Sequence, residues 1–118
     1  MRQTLEQWLD YIGGLHPITW DLTLDRVSEV ALRLGVVKPA RQVVLVAGTN
    51  GKGSCVATIE HVLLAQDYKV GSFTSPHLHH YSERIRIGGK PVEDTLICEA
   101  FTAIDQARGD VSLTYFEF

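Results

Sequence analysis

Three glycines, a lysine and a serine crowd the stretch Gly48-Thr49-Asn50-Gly51-Lys52-Gly53-Ser54, directly after the apolar run Val43-Val44-Leu45-Val46-Ala47. A strand that ends in glycines and opens into a helix aims several unpaired backbone N–H groups at one point, where the helix dipole also favours negative charge. Glycine permits the backbone angles and the close approach that such a nest of N–H groups needs, and Lys52 adds a mobile ammonium. The chemistry suited to this arrangement is phosphate binding. The amides of Thr49 to Gly53 and the Lys52 ammonium would surround the phosphates of a nucleoside triphosphate, with the Ser54 hydroxyl available to magnesium. The spacing departs from the general pattern G-x-x-x-x-G-K-[ST], whose first glycine would fall at Val46 and whose hydroxyl at Gly53. Here the glycine stands at Gly48 and the hydroxyl at Ser54, so the loop is a variant.

Such a loop must be held by a strand before it and a helix after it. Val43 to Ala47 is apolar on both faces, as a central parallel strand covered by helices should be. From Ser54 onward Val56, Ile59, Val62 and Leu63 repeat at helical spacing, and Tyr68 to Phe73 reads as a second strand, which together make a right-handed βαβ unit. Upstream, Leu5, Trp8, Leu9 and Ile12 mark a short amphipathic helix ended by Gly13-Gly14. A second helix, capped by Asp21 or Thr23, carries Leu24, Val27, Val30, Ala31 and Leu34 and stops at Gly35. Downstream, Glu83 to Ile87 alternates charge with apolar bulk and turns at Gly88-Gly89, which predicts a small hairpin. Asp94 or Thr95 caps a further helix with Leu96, Ala100, Ala103, Ile104 and Ala107 inward and Gly109 as its stop, and Val111 to Phe118 reads as another strand. The fold class expected is therefore α/β, a P-loop domain with a parallel sheet flanked by helices.

Composition narrows the function. The 118 residues are 45% hydrophobic and 21% charged, enough for one modest core. A net charge of −3 supplies no broad basic field, so a nucleic-acid partner is not expected and any anion site must be built locally. No apolar stretch approaches the roughly 20 residues that cross a bilayer, and no secretory signal is evident, so a cytoplasmic protein without a membrane partner is expected. Cys55 and Cys98 lack metal-like spacing and read as reduced thiols.

With these features in place, Gly48 to Ser54 resembles the ATP loop of the Mur ligase superfamily, and its Gly-Ser ending resembles the folylpolyglutamate synthase and dihydrofolate synthase branch. Other stretches agree in order: Trp8-Leu9-Asp10-Tyr11, Leu15-His16, Leu24-Asp25-Arg26-Val27, Thr74-Ser75-Pro76-His77-Leu78, Glu83-Arg84-Ile85-Arg86 and Leu113-Thr114-Tyr115-Phe116-Glu117. The last of these is most similar to the bacterial bifunctional members. The resemblance implies a Mur-ligase-type central domain and an ATP-dependent ligase that joins L-glutamate to dihydropteroate or to folates through an acyl phosphate. ATP and Mg2+ are the cofactors implied, the small-molecule substrates the only partners, and a monomer the expected state. The 118 residues then correspond to the amino-terminal portion of the ATP-binding domain, without the carboxy-terminal glutamate-binding domain, and are expected to be inactive alone.

Carried over residue by residue, the resemblance gives Lys52 the catalytic charge and Gly48 to Ser54 the nucleotide. Ser75 and Ser54 become magnesium ligands, which suits a cation that prefers hard oxygen. Gly14, Leu15, His16, Thr114, Tyr115, Phe116 and Glu117 are implied at the dihydropteroate pocket, with Tyr115 and Phe116 stacking on the ring and Glu117 accepting its N–H groups. Against this stands a plain sheet strand over 114–117, a solvated hairpin face for Arg84 and Arg86, and solvated or supporting roles for His77, His79 and His80 in place of a zinc site. A Mur-type ligase for a cell-wall precursor and a nucleotide-binding module without ligase chemistry are the alternative functions, since a P-loop fold alone fixes no reaction.

Overall fold

Thr4 begins the first helix, α1 (Leu5–Leu15), through a capping box: its hydroxyl accepts from the Gln7 amide, and the Gln7 side chain returns to the Thr4 amide. The computed structural model describes residues 2–18 and 21–118. Further helices are α2 (Asp25–Leu34), α3 (Lys52–Ala65) and α4 (Asp94–Arg108), and the strands are β1 (Gly71–Phe73), β2 (Ile85–Ile87) and β3 (Lys90–Pro91), with a 3-10 helix at Tyr81–Arg84. The class is α/β, and two compact units divide the chain. One comprises the described part of Met1–Arg41 together with Asp94–Phe118, and the other is Gln42–Glu93.

The first unit is helical, with α4 against both α1 and α2. Its core is Trp8, Ile12, Val30, Ile97, Phe101 and Leu113, all buried. Phe101 meets Phe118 edge-on with ring centroids 5.5 Å apart, and Trp8 lies 5.9 Å from Phe101. Gly13 and Gly14 do not end α1, which continues one turn's length to Leu15 and His16. α2 has Leu24 at its N-cap and no side-chain cap, because Asp21 and Thr23 both accept from Arg26 instead. Its end is as expected, at Gly35 in the left-handed region with φ 72°. On α4 the buried face is Ile97 and Phe101, one position on from the predicted Leu96 and Ala100, and Leu96 is exposed. Val111 to Phe118 forms no strand: it ends in a turn over 115–117 in which the Glu117 carboxylate accepts the Thr114 amide at 2.8 Å.

In the second unit the sheet is antiparallel throughout, in the order β1-β2-β3. The predicted hairpin is present: Ile87 pairs with Lys90 across Gly88 and Gly89, whose φ values of 62° and 81° are those of the tight turn that matches strand twist. The predicted parallel βαβ unit is not. β1 pairs with β2, and Val43 to Ala47 forms no strand, with Leu45 90% exposed. A run apolar on both faces becomes a covered strand only when neighbours bond to both its edges and layers close both its faces. The described residues supply neither. The predicted apolar stripe of α3 is only partly covered, with Val56, Ile59 and Leu63 half-buried and Val62 exposed; its buried residue is Glu60, which accepts from Arg86 Nε at 3.1 Å and from the Ser72 hydroxyl at 2.7 Å.

Between β1 and β2 the chain leaves the sheet for residues 74–84. Glu83 organises this loop, accepting the amides of His80 at 2.6 Å, His79 at 2.9 Å and Leu78 at 3.2 Å. Those bonds to His80, His79 and Leu78 pull its carboxyl down to about 2 from an ordinary 4.5. Because the folded value is the lower one, the stabilisation is complete above the ordinary value and is lost as pH falls from there toward the folded one.

Two outcomes follow from this packing. Ile12→Ala should cost the first unit about 2–5 kcal/mol in denaturant unfolding; a loss under about 0.5 kcal/mol would show that α1 is not packed as described. Acidification from pH 4.5 to 2 should erase hydrogen-exchange protection, corrected for intrinsic rates, at Leu78, His79 and His80. Glu83→Ala should lack that protection at every pH, and protection surviving in this variant would rule out the carboxylate as the loop's anchor.

Candidate phosphate and ring-binding sites

The glycine loop is built as the sequence requires. Gly51 is the N-cap of α3 in the left-handed region, φ 74°, and Gly48 sits at φ 149°, both conformations that a Cβ disfavours. α3 then starts at Lys52, and its first intrahelical bond runs from the Cys55 amide to the Gly51 carbonyl at 3.0 Å. No side chain caps the helix, and no acidic residue stands in its first turn. The first-turn amides of Lys52, Gly53 and Ser54 therefore keep their donors for an outside acceptor. Among the described residues the Lys52 ammonium has no carboxylate partner. An anion of phosphate's size and charge fits this donor set.

A groove of about 380 Å³ opens beside the helix start, within the second unit. Gly53 is on one wall, and Thr74, Pro76 and His77 are on another. The predicted hydroxyls Ser54 and Ser75 do not line it. Ser75 is exposed and joined to Pro76 by a cis peptide, and Ser54 is exposed at the helix start, its carbonyl accepting from the Thr58 hydroxyl at 2.9 Å. Among the described residues no group of three or more His, Cys, Asp or Glu side chains converges to hold a metal. A cation here would depend on hydroxyl oxygens and on the oxygens of its own phosphate ligand. His77, His79 and His80 form no such group among the described residues.

The residues expected at a ring pocket lie in the first unit, and a polar network connects them. Gly14 and Leu15 are in the last turn of α1, and His16 caps it. The nearly buried His16 ring contacts Ser112 Oγ through Nδ1 at 2.7 Å and Asp21 through Nε2 at 3.3 Å. Asp21 in turn accepts from Arg26 Nη1 at 2.9 Å. Arg26 donates to both oxygens of Glu117, at 2.9 and 3.3 Å, and Glu117 is tied to Thr114 in both directions. His16, Thr114 and Glu117, of the residues expected at the pocket, thus belong to one connected set with Asp21 and Arg26. Partial burial pushes the Asp21 carboxyl up, but the His16 and Arg26 hydrogen bonds and the Arg26 charge outweigh it, and the group sits below the usual carboxylate range. Desolvation likewise lowers Arg26, and the bonds to Glu117 and Asp21 reverse it, so the guanidinium stays charged.

Glu117 was expected to face a ligand, and its oxygens already serve Arg26 and the Thr114 amide. Phe116 beside it is 65% exposed, and Leu22 and Leu24 are exposed on the segment that Arg26 ties to Glu117. Sequence reasoning missed Asp21, Arg26 and Ser112 as members of this network, and Glu60 and Glu83 in the second unit. One signal was available: an arginine in the first turn of a helix opposes the dipole, so it calls for acidic partners nearby. Cys55 is exposed, and Cys98 is partly covered, its thiol pushed up by desolvation and then by the Asp94 charge.

No family model matches the chain. It is 53% identical over 114 residues, 97% of its length, to dihydrofolate synthase/folylpolyglutamate synthase of Escherichia coli strain K12. The protein of that name from Buchnera aphidicola subsp. Baizongia pistaciae is 44% identical over 115 residues, 98% of this chain. Among solved structures it is similar to E. coli FolC in complex with DHPP and ADP, with TM-score 0.96 and 52% identity over 98% of this chain and 28% of that one. The bifunctional folylpolyglutamate synthase/dihydrofolate synthase from Yersinia pestis, complexed with AMPPNP and Mn ion, gives TM-score 0.93 and 46% identity over 98% and 28%. The chain spans 27% of the length of these curated relatives. Over that span, it belongs to the dihydrofolate synthase/folylpolyglutamate synthase family.

Proposed function

We propose that the chain is the nucleotide-phosphate-binding portion of an ATP-dependent ligase that joins L-glutamate to dihydropteroate and to folates through an acyl phosphate. The observation that carries this reading is the open start of α3: positive-φ glycines, uncapped first-turn amides, no acidic residue in the first turn, and Lys52 without a carboxylate partner among the described residues. A carboxylate is a poor acceptor for an amine until ATP converts it to a mixed anhydride. That transfer crowds negative charge on the γ-phosphate, and positioned donors and cations are what lower its barrier. Lys52 and the amides of Thr49 to Gly53 supply them. Magnesium bound with the nucleotide would neutralise phosphate charge, and Ser54 and Ser75 would offer it oxygens.

The similar proteins agree with this choice of ligands: FolC was captured with DHPP and ADP, and the Yersinia enzyme with Mn, AMPPNP and L-glutamate. For the pterin substrate, exposed Phe116 offers a stacking face, with Leu22 and Leu24 as apolar surface, and Glu117 is the acceptor. Both Glu117 oxygens accept from Arg26, which fixes the carboxylate's direction, and its remaining acceptor positions suit ring N–H donors. His16 and Asp21 hold Arg26 in place from behind. The parallel sheet of a P-loop domain belongs to this reading too, with Val43 to Ala47 as the strand that feeds the phosphate loop, and the 118 residues as the amino-terminal part of that domain. We place the protein in the cytoplasm, where its substrates would be made.

Lys52→Ala should weaken binding of Mg–AMPPNP to this chain by about tenfold or more, the usual effect of losing a charge-assisted bond. Unchanged affinity by calorimetry would overturn the phosphate-loop assignment. The 118-residue chain should release no ADP when given ATP, dihydropteroate and L-glutamate, and product formation would refute the view that glutamate binding and closure need further residues.

A further inference from the structure

In the 74–84 loop the His77 ring is held from two directions. Arg84 donates from Nε to His77 Nδ1 at 2.8 Å. Tyr81, buried, meets the His77 ring edge-on with centroids 5.8 Å apart and an interplanar angle of 65°. The Arg84 guanidinium itself lies 5.2 Å from the Tyr81 ring centroid. Arginine stays protonated and has no acceptor atom, so the nitrogen it donates to must present a lone pair. Nδ1 therefore carries no proton, and the ring proton is on Nε2. This is the opposite of the arrangement in metal-binding histidines whose Nε2 lone pair faces the ion while Nδ1–H is held by an acceptor. His77 also borders the groove whose other wall includes Gly53, in the first turn of α3.

We propose that Arg84 locks His77 in its Nε2–H form, and that this N–H is an uncharged donor to an anionic oxygen of the nucleotide phosphates bound at the start of α3. The inference rests on the phosphate-loop reading and adds a residue to it. An uncharged donor orders a phosphate oxygen without a further cation, leaving Lys52 and magnesium as the charges there. Arg84 acts through His77 and is a positioning residue.

The experiment is long-range 1H–15N correlation spectroscopy of the histidine rings in the 15N-labelled chain, before and after addition of Mg–AMPPNP. The expected result is a protonated Nε2 and a bare Nδ1 on His77 in the free chain. On addition of nucleotide, the amides of Lys52, Gly53 and Ser54 should shift together with His77 Nε2–H. A proton on Nδ1 overturns the proposal, as does movement of the three amides while Nε2–H stays put, and that second outcome leaves the phosphate loop intact. Amides that do not move would take down both. Two substitutions give an independent readout, since glutamine places an amide donor near the Nε2 position and asparagine near Nδ1. His77→Gln should hold Mg–AMPPNP affinity within about threefold and His77→Asn should lose about tenfold. Amide spectra should report the same fold for both. Equal affinities for His77→Asn and the unaltered chain would overturn the proposal.

Discussion

Backbone that leaves regular structure must still find partners for its N–H groups, and in this chain glutamate carboxylates meet that demand. Glu83 gathers the Leu78, His79 and His80 amides, and Glu117 takes the Thr114 amide. A carboxylate offers about four acceptor positions, so it can close a loop on itself and still hold an arginine, as Glu117 holds Arg26. Glu60 applies the same economy inside the second unit, joining α3 to β1 through Ser72 and to β2 through Arg86. The Arg86 guanidinium continues to the Gly89 carbonyl in the hairpin turn. Loops that would otherwise be held only by water are thereby given fixed shapes, and the side chains they carry inherit fixed directions.

The start of α3 breaks this habit. The 74–84 loop and the 114–117 turn each close on a glutamate, yet the turn from Gly48 to Ser54 has no acid, and a glycine occupies the cap. A serine or aspartate at Gly51 would have bonded the first-turn amides and closed the site. The left-handed backbone at Gly51 shows what glycine supplies in its place: a turn that leaves those donors pointing outward, at the cost of cap stabilisation. α2 also lacks a side-chain cap, but Arg26 in its first turn meets Asp21 and Glu117, whereas no such partner stands at the start of α3, in keeping with the phosphate site proposed there.

Local signals were the legible ones. Gly35 after α2, Gly109 after α4 and Gly88-Gly89 in the hairpin each act within a few residues, and each stands where spacing placed it, with Gly109 at φ 53°. The glycine loop was legible for the same reason. What the sequence could not settle depended on distant partners. Val43 to Ala47 has the composition of a covered strand, but pairing is a property of two segments, and composition names only one. Thr114 to Glu117 has the threonine and aromatic residues that strands favour, yet the Glu117 carboxylate reaching back to the Thr114 amide makes it a turn. On α4 a one-position shift moved the buried face to Ile97 and Phe101, because aromatic packing against Trp8 and Phe118 outweighs the alanine-rich stripe.

The Arg26 network shows how the direction of a proposed site residue is set by groups far from it in sequence. Both Glu117 oxygens accept from Arg26, so the carboxylate has a fixed orientation. Arg26 is fixed in turn by Asp21, and Asp21 by His16, so the direction of one carboxylate is set by a relay reaching to the end of α1. Only Glu117 in that relay was expected to recognise a ring, while His16 was placed beside it as a wall. The distances give His16 a different part. With Ser112 on one ring nitrogen and Asp21 on the other, it has no atom left for a ligand and every reason to be retained for the geometry of its neighbours.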